Sequence, residues 1–139
     1  MGIDTSEFLR NVPIFSDCSA EERKAIAARV HASSFEPGQM IVVQDTPGYA
    51  LYIIVNGRVR VVRDGVPVSS FGSGDFFGEL SLLDEAPRSA SVLAVESTSC
   101  LMLPGWDFAT LLEEQPSIAV KLLAVLSKRL RETTGNQIA

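Results

Sequence analysis

One histidine and two cysteines among 139 residues leave little material for metal or nucleophilic chemistry. His31 by itself cannot assemble the several imidazoles of a metal-centred site, nor complete a Ser/His/Asp or Cys/His set. Cys18 and Cys100 are too few for a disulfide framework, a four-cysteine metal site or an iron–sulfur cluster. Two isolated thiols fit a reducing, cytoplasmic setting. A basic excess is missing too: 12 Lys+Arg stand against 17 Asp+Glu, a formal charge of −5. General nucleic-acid binding needs the opposite balance, so any bound anion must be held by a local field. No apolar run approaches the roughly 18 residues of a membrane span, and MGIDTSEFLR lacks a basic-then-apolar leader pattern. Internal repeats and low-complexity segments are also absent. The expectation is a cytoplasmic chain with no metal, no catalytic residues and no membrane contact.

What is present is a folding composition, 46% hydrophobic and 21% charged, long enough for one domain over 1–139 with its own core. Helical material is expected over 1–32. Ser19 followed by Glu22 is a capping-box pattern, and EERKAIAARVHA reads as an amphipathic helix ending near Ala32, with His31 suited to its negative end. Over 33–103 the pattern becomes short strand-like runs, among them ALYIIV, RVRVV, VPVSSF and SCLML, separated by glycines. Asn56-Gly57 and Asp64-Gly65 are turn dipeptides that tolerate positive φ and are expected to close tight hairpins. The fold class is therefore mainly β with flanking helices, an antiparallel jelly-roll barrel. Helices return over 104–134: WDFATLLEEQ ends before Pro116, and a longer helix runs from about Ser117 to Thr134. In that helix IAVKLLAVL is apolar except at Lys121, which predicts two buried faces, one on the barrel and one in a dimer seam.

Residues 77–92, FGELSLLDEAPRSASV, hold the most chemistry. ELSLLD is long enough for a short helix, and a helix that follows a glycine aims free N–H groups at whatever precedes it. Pro87 constrains the return, which brings Arg88 near that helix's start. An arginine there can make two parallel hydrogen bonds to a phosphate. Glu79 would repel a phosphate, so it should accept from a neighbouring hydroxyl; a ligand with one phosphate charge beside a sugar hydroxyl meets both needs. Residue by residue, blander readings stay open: Glu79 as complement to a helix dipole, and Arg88 as a solvated surface residue.

This stretch resembles the phosphate-binding cassette of the cyclic-nucleotide-binding domains, in which Phe-Gly-Glu-Leu is followed some nine or ten residues later by Arg and a small pair. The resemblance extends to LRNVPIFSDCSAEE, to EPGQMIVVQDTPGYALYIIVNGRVRV and to WDFATLLEEQP. It implies a cassette opening with Phe77 and Gly78, Glu79 on the ribose 2′-hydroxyl, and Arg88 on the cyclic phosphate with backbone N–H groups near Leu80 and Ala90. It also implies Ser89 against the phosphate or base, and Val61 and Leu80 as pocket walls. In regulators resembling the catabolite activator, a hydroxylated pair on the last helix reaches the adenine; Thr133 and Thr134 fall at that place. The ligand implied is cAMP, more than cGMP, with no catalytic cofactor. The implied partners are the nucleotide and either a second copy through the C-terminal helix or an effector domain or protein. Such regulators continue into a helix-turn-helix domain, and nothing up to Ala139 could serve as a recognition helix.

The function expected is a sensor that couples ligand binding to movement of the C-terminal helices, standing alone or as the sensor part of a transcriptional regulator, channel, kinase or transferase. Two other classes of function compete with this one. A jelly-roll metalloenzyme fails for want of histidines. A degenerate module, serving structure or dimerisation without nucleotide, would not need both Glu79 and Arg88.

Overall fold

The computed structural model describes residues 4–78 and 86–134, with backbone alone for 133 and 134. They form two compact units, one from the residues up to Ala28 and those from Ala109 onward, the other Arg29–Phe108.

In the helical unit, α1 (Thr5–Leu9) starts at Asp4, whose carboxylate accepts the Glu7 N–H at 3.2 Å. A 3-10 turn at Pro13–Phe15 leads to α2 (Ala20–Ala27). The capping box forms as expected: Ser19 Oγ accepts from the Glu22 N–H at 3.1 Å, and Glu22 Oε1 from the Ser19 N–H at 2.8 Å. The same carboxylate is buried, and it also accepts from Ser117 Oγ and, at 2.5 Å, from Lys121 Nζ. Burial works to raise its pKa, but the hydrogen bonds from Lys121, Ser117 and Ser19 outweigh that and hold it down at about 2. Pro116 opens the last helix, Pro116–Thr134, where its missing N–H would have found no partner. Ile118 and Leu122 on this helix are buried with Leu9, Phe15 and Ile26, whereas Val120, Leu123 and Leu130 are 69%, 63% and 51% exposed. The apolar run of that helix thus divides into a buried face and an exposed one.

α2 stops short of the expected Ala32, and His31 opens the first strand instead. Apart from Ala32, the run from Val30 to Phe35 consists of weak helix formers, and pairing with β8, His31 opposite Met102, gives it a strand partner. His31 Nε2 lies 3.8 Å from Asp107, a carboxylate that Arg29 also meets at 3.0 Å.

The second unit is two four-stranded antiparallel sheets with a jelly-roll order. One runs β1 (His31–Phe35), β8 (Thr98–Pro104), β3 (Ala50–Asn56), β6 (Phe76–Phe77); the other β2 (Met40–Val42), β7 (Ser91–Ala94), β4 (Arg58–Arg63), β5 (Val66–Gly72). The layers face each other as a sandwich, and no ladder among the described residues closes them into a barrel. α3 (Gly105–Glu114) follows β8. Val42, Ile54, Val59, Phe77, Val92 and Cys100 form the core between the sheets, contributed by six different strands. Strand β4 shows the one-sided pattern, with Val59 buried between exposed Arg58 and Arg60.

The two turn dipeptides do different things. Asp64 and Gly65, at φ 53° and 79°, close the β4–β5 hairpin with Arg63 opposite Val66. Asn56-Gly57 makes no hairpin, because β3 and β4 lie in different sheets. Gly57, at φ 103°, instead carries the chain from one sheet to the other. A Cβ there would stand 2.6 Å from the Thr98 Cα, so the crossing passes too close to β8 for any side chain.

Candidate anion-binding site

The site begins where β6 ends. Phe77 pairs with Tyr52 in the ladder and stacks on its ring, with centroids 5.2 Å apart and planes at 10°. That stack fixes the strand end, and Gly78 then turns the chain at φ 96°. On the return limb, Arg88 is held at both ends of its backbone. Its N–H donates to the Thr46 carbonyl at 2.8 Å, and its carbonyl accepts from the Asp45 N–H at 2.9 Å. Ser91 Oγ, on β7, accepts from the Gln44 N–H at 2.9 Å. The loop after β2 therefore acts as a frame for the limb that carries Arg88.

The Arg88 side chain turns inward and is only 5% exposed. Nη2 donates to the Ala50 carbonyl at 2.8 Å and Nη1 to the Gly78 carbonyl at 3.1 Å. Residues 78 and 88 are thus brought into direct contact, as the sequence spacing implied. The solvated-surface reading of Arg88 is excluded. A buried guanidinium is costly unless its donors are satisfied, and these two carbonyls accept from it. The same contact explains the glycine: a Cβ on residue 78 would lie 2.5 Å from Arg88 Nη1 and 2.8 Å from the Ala50 oxygen. The cation is felt nearby. Burial raises the Tyr52 phenol's pKa, and the positive charge of Arg88 partly offsets the rise.

Arg88 also forms part of the wall of a cleft of about 290 Å³, with Thr46, Tyr49, Tyr52, Met102 and Trp106. Of the other residues singled out from sequence, Ala90 is buried, and Ser89 is exposed with its carbonyl accepting from Arg63 Nε at 3.2 Å. Val61 is half-buried on β4, packed on the inter-sheet core and opposite Val92 of β7. Glu79, Leu80 and the expected short helix lie outside the described residues, as do the side chains of Thr133 and Thr134. Among the described residues no group of His, Cys, Asp and Glu could hold a metal ion, and no helix is long and apolar enough to cross a membrane.

Sequence reasoning missed Gln44, Asp45, Thr46, Ala50 and Arg63, which frame or contact the limb. Most act through backbone groups, which leave no trace in residue type. Only Gln44-Asp45-Thr46-Pro47-Gly48 carries a turn signal, and that signal does not say which segment it serves.

The geometry agrees with what comparison with known proteins finds. The family profile described as the cyclic nucleotide-binding domain matches residues 32–115. The chain is 36% identical over 129 residues to the cyclic AMP receptor protein of Thermus thermophilus, covering 89% of this chain and 60% of that protein. The crystal structure of the Thermus thermophilus catabolite activator protein superposes with a TM-score of 0.80 at 37% identity, over 88% of this chain and 60% of that one. The N-terminal domain of a transcriptional regulator from Streptomyces coelicolor matches with a TM-score of 0.81 at 26% identity, over 95% of this chain and 96% of that domain. The regulatory domain of Toxoplasma gondii PKA, crystallised with cAMP, matches with a TM-score of 0.79 at 29% identity, over 92% of this chain and 49% of that one. The chain thus spans 60% of the length of the Thermus protein, and only part of most longer relatives.

Proposed function

Because the chain belongs to the cyclic nucleotide-binding domain family, we propose that it binds cAMP, in preference to cGMP, and relays the binding to its C-terminal helix. The observation that carries this reading is the buried Arg88 guanidinium held against Gly78. Arg88 takes the cyclic phosphate, a charged acceptor that makes a stronger hydrogen bond than a backbone carbonyl does. The backbone N–H groups of Leu80 and Ala90 complete the anion site, Glu79 takes the ribose 2′-hydroxyl, and Ser89 lies at the phosphate or base. Phe77 and Gly78 set the start of the cassette, Val61 and Leu80 form walls, and Thr133 or Thr134 reaches the adenine. The names of the relatives support adenine over guanine.

Coupling follows from the same contact. When Arg88 leaves the Gly78 carbonyl for a phosphate, the turn at Gly78 loses its tie and the cassette re-docks. Ligand then shifts an existing equilibrium by its differential affinity for the two arrangements. The exposed Val120, Leu123 and Leu130 form the seam of a homodimer whose helices respond to that shift. Leu123→Glu should leave a monomer by sedimentation; a species still dimeric would remove the seam. The domain acts as the sensor of a larger regulator. Titration calorimetry with cAMP and cGMP, on wild type, Arg88→Lys and Arg88→Ala, tests the ligand. Unchanged cAMP affinity in Arg88→Ala, with folding checked by melting, would sink the assignment.

One observation favours a second reading. Arg88 already bonds two carbonyls of its own chain, which is also what a module without nucleotide would need to keep its cation buried. Absence of any cAMP or cGMP heat in wild type, with no 260 nm absorbance retained on purification, would select it.

A further inference from the structure

The β4–β5 hairpin tip is tied to the Arg88 limb from outside, through side chains that a fold alone would not require. Gln44 and Asp64 bond reciprocally: Gln44 Nε2 donates to Asp64 Oδ1 at 2.7 Å, and the Asp64 N–H donates to Gln44 Oε1 at 2.8 Å. This pair fixes the hairpin turn at the loop that already holds Arg88 and Ser91. The neighbouring Arg63, exposed on its strand, reaches over to the Ser89 carbonyl. That carbonyl and the Ala90 N–H belong to one planar peptide group, and none of the described peptides is cis. In a trans peptide the two point in opposite directions. A guanidinium on the Ser89 oxygen therefore aims the Ala90 N–H away from itself and polarises it as a donor. It also brings a second cation to the limb that carries Arg88, in a chain of formal charge −5.

We infer that Arg63 is a positioning residue for the anionic ligand, which it serves by holding the Ser89–Ala90 peptide with its N–H turned to the phosphate, and that the Gln44–Asp64 pair holds Arg63 in place. The inference rests on the cAMP reading. It makes the hairpin tip part of the binding site although no residue of the tip need touch the nucleotide. Its charge contribution is screened by salt, whereas its orienting contribution is not.

The test uses the whole chain, uniformly labelled with 15N, and cAMP as the probe, at low and high salt. Arg63→Ala should weaken cAMP binding about fivefold, the range for one charge-assisted hydrogen bond partly replaced by water. It should also flatten the salt dependence and shrink the shift of the Ala90 amide resonance on adding cAMP. Arg63→Lys, which keeps the charge but not the fork, should restore the salt dependence and only part of the affinity. Gln44→Ala keeps the charge and frees the tip, so it should lose affinity with the wild-type salt slope. Melting temperatures near wild type would exclude a mere folding defect, since Arg63 is exposed. If Arg63→Ala binds cAMP like wild type, or the Ala90 shift is unchanged, while Arg88→Ala is weakened, the inference fails and the cAMP reading stands. If Arg88→Ala also binds like wild type, both fail.

Discussion

Replacing Lys121 with methionine should expose how Glu22 is stabilised in the helical unit. The carboxylate is 4% exposed and receives Ser19, Ser117 and Lys121. Against burial, which alone would raise it, its pKa falls from 4.5 to about 2. At about 1.36 kcal/mol per pKa unit, that depression is worth about 3 kcal/mol. Lys121 is one of several donors, and its side chain is 33% exposed, so solvent screens its share. The substitution leaves a buried carboxylate short of its cation, so stability at pH 7 should fall by part of that amount. For a chain of this length the melting temperature should fall by several degrees. The pH dependence separates this from a packing defect. A depressed carboxylate pKa stabilises the fold above the unfolded pKa of 4.5, and that contribution disappears as the pH falls toward about 2. The gap between wild type and Lys121→Met, measured by urea denaturation, should therefore close between pH 5 and pH 2. A gap that stays constant over that range would refute the electrostatic account.

Three further outcomes follow from positions the structure constrains tightly. Gly78→Ala should reduce cAMP affinity at least tenfold in calorimetry, because its Cβ would meet Arg88 Nη1 at 2.5 Å and the Ala50 carbonyl at 2.8 Å at a positive φ; affinity within twofold of wild type would show that the guanidinium is free to shift. Gly57→Ala should cost about 2–3 kcal/mol in urea denaturation, since the Thr98 backbone at 2.6 Å cannot yield as a side-chain end could; a loss under about 0.5 kcal/mol would refute the close crossing. Burial raises both the Cys18 and Cys100 thiols to about 11, with Glu22 adding to the rise at Cys18; neither should react with Ellman's reagent at pH 8 until the protein unfolds, and rapid labelling of the native protein would contradict their burial.

The sequence by itself determined every feature whose cause is local. The capping box at Ser19 and Glu22 needs only residues three apart, and it forms. Pro116 marks the start of the last helix because a proline cannot continue the preceding one. Alternation in β4 identifies Val59 as inward-facing, and Asp64-Gly65 dictates its own turn. The approach of Arg88 to Gly78 was legible because a glycine, an arginine and a proline at fixed spacing limit where the chain can return. Elsewhere the outcome depended on partners distant in sequence. His31 extends a strand instead of ending a helix because Met102 is there to pair with it. Asn56-Gly57 crosses between sheets, where a hairpin was expected, since β3 finds its partners in β6 and β8. Lys121, an odd cation in an apolar run, is accounted for by the buried carboxylate of Glu22. The surroundings of Arg88 divide the same way. Arg88 is named by its motif, but its burial comes from the Ala50 and Gly78 carbonyls, and its frame from Gln44, Asp45 and Thr46. Carbonyl and amide groups are common to every residue, so only the tertiary fold decides which of them meet a buried guanidinium.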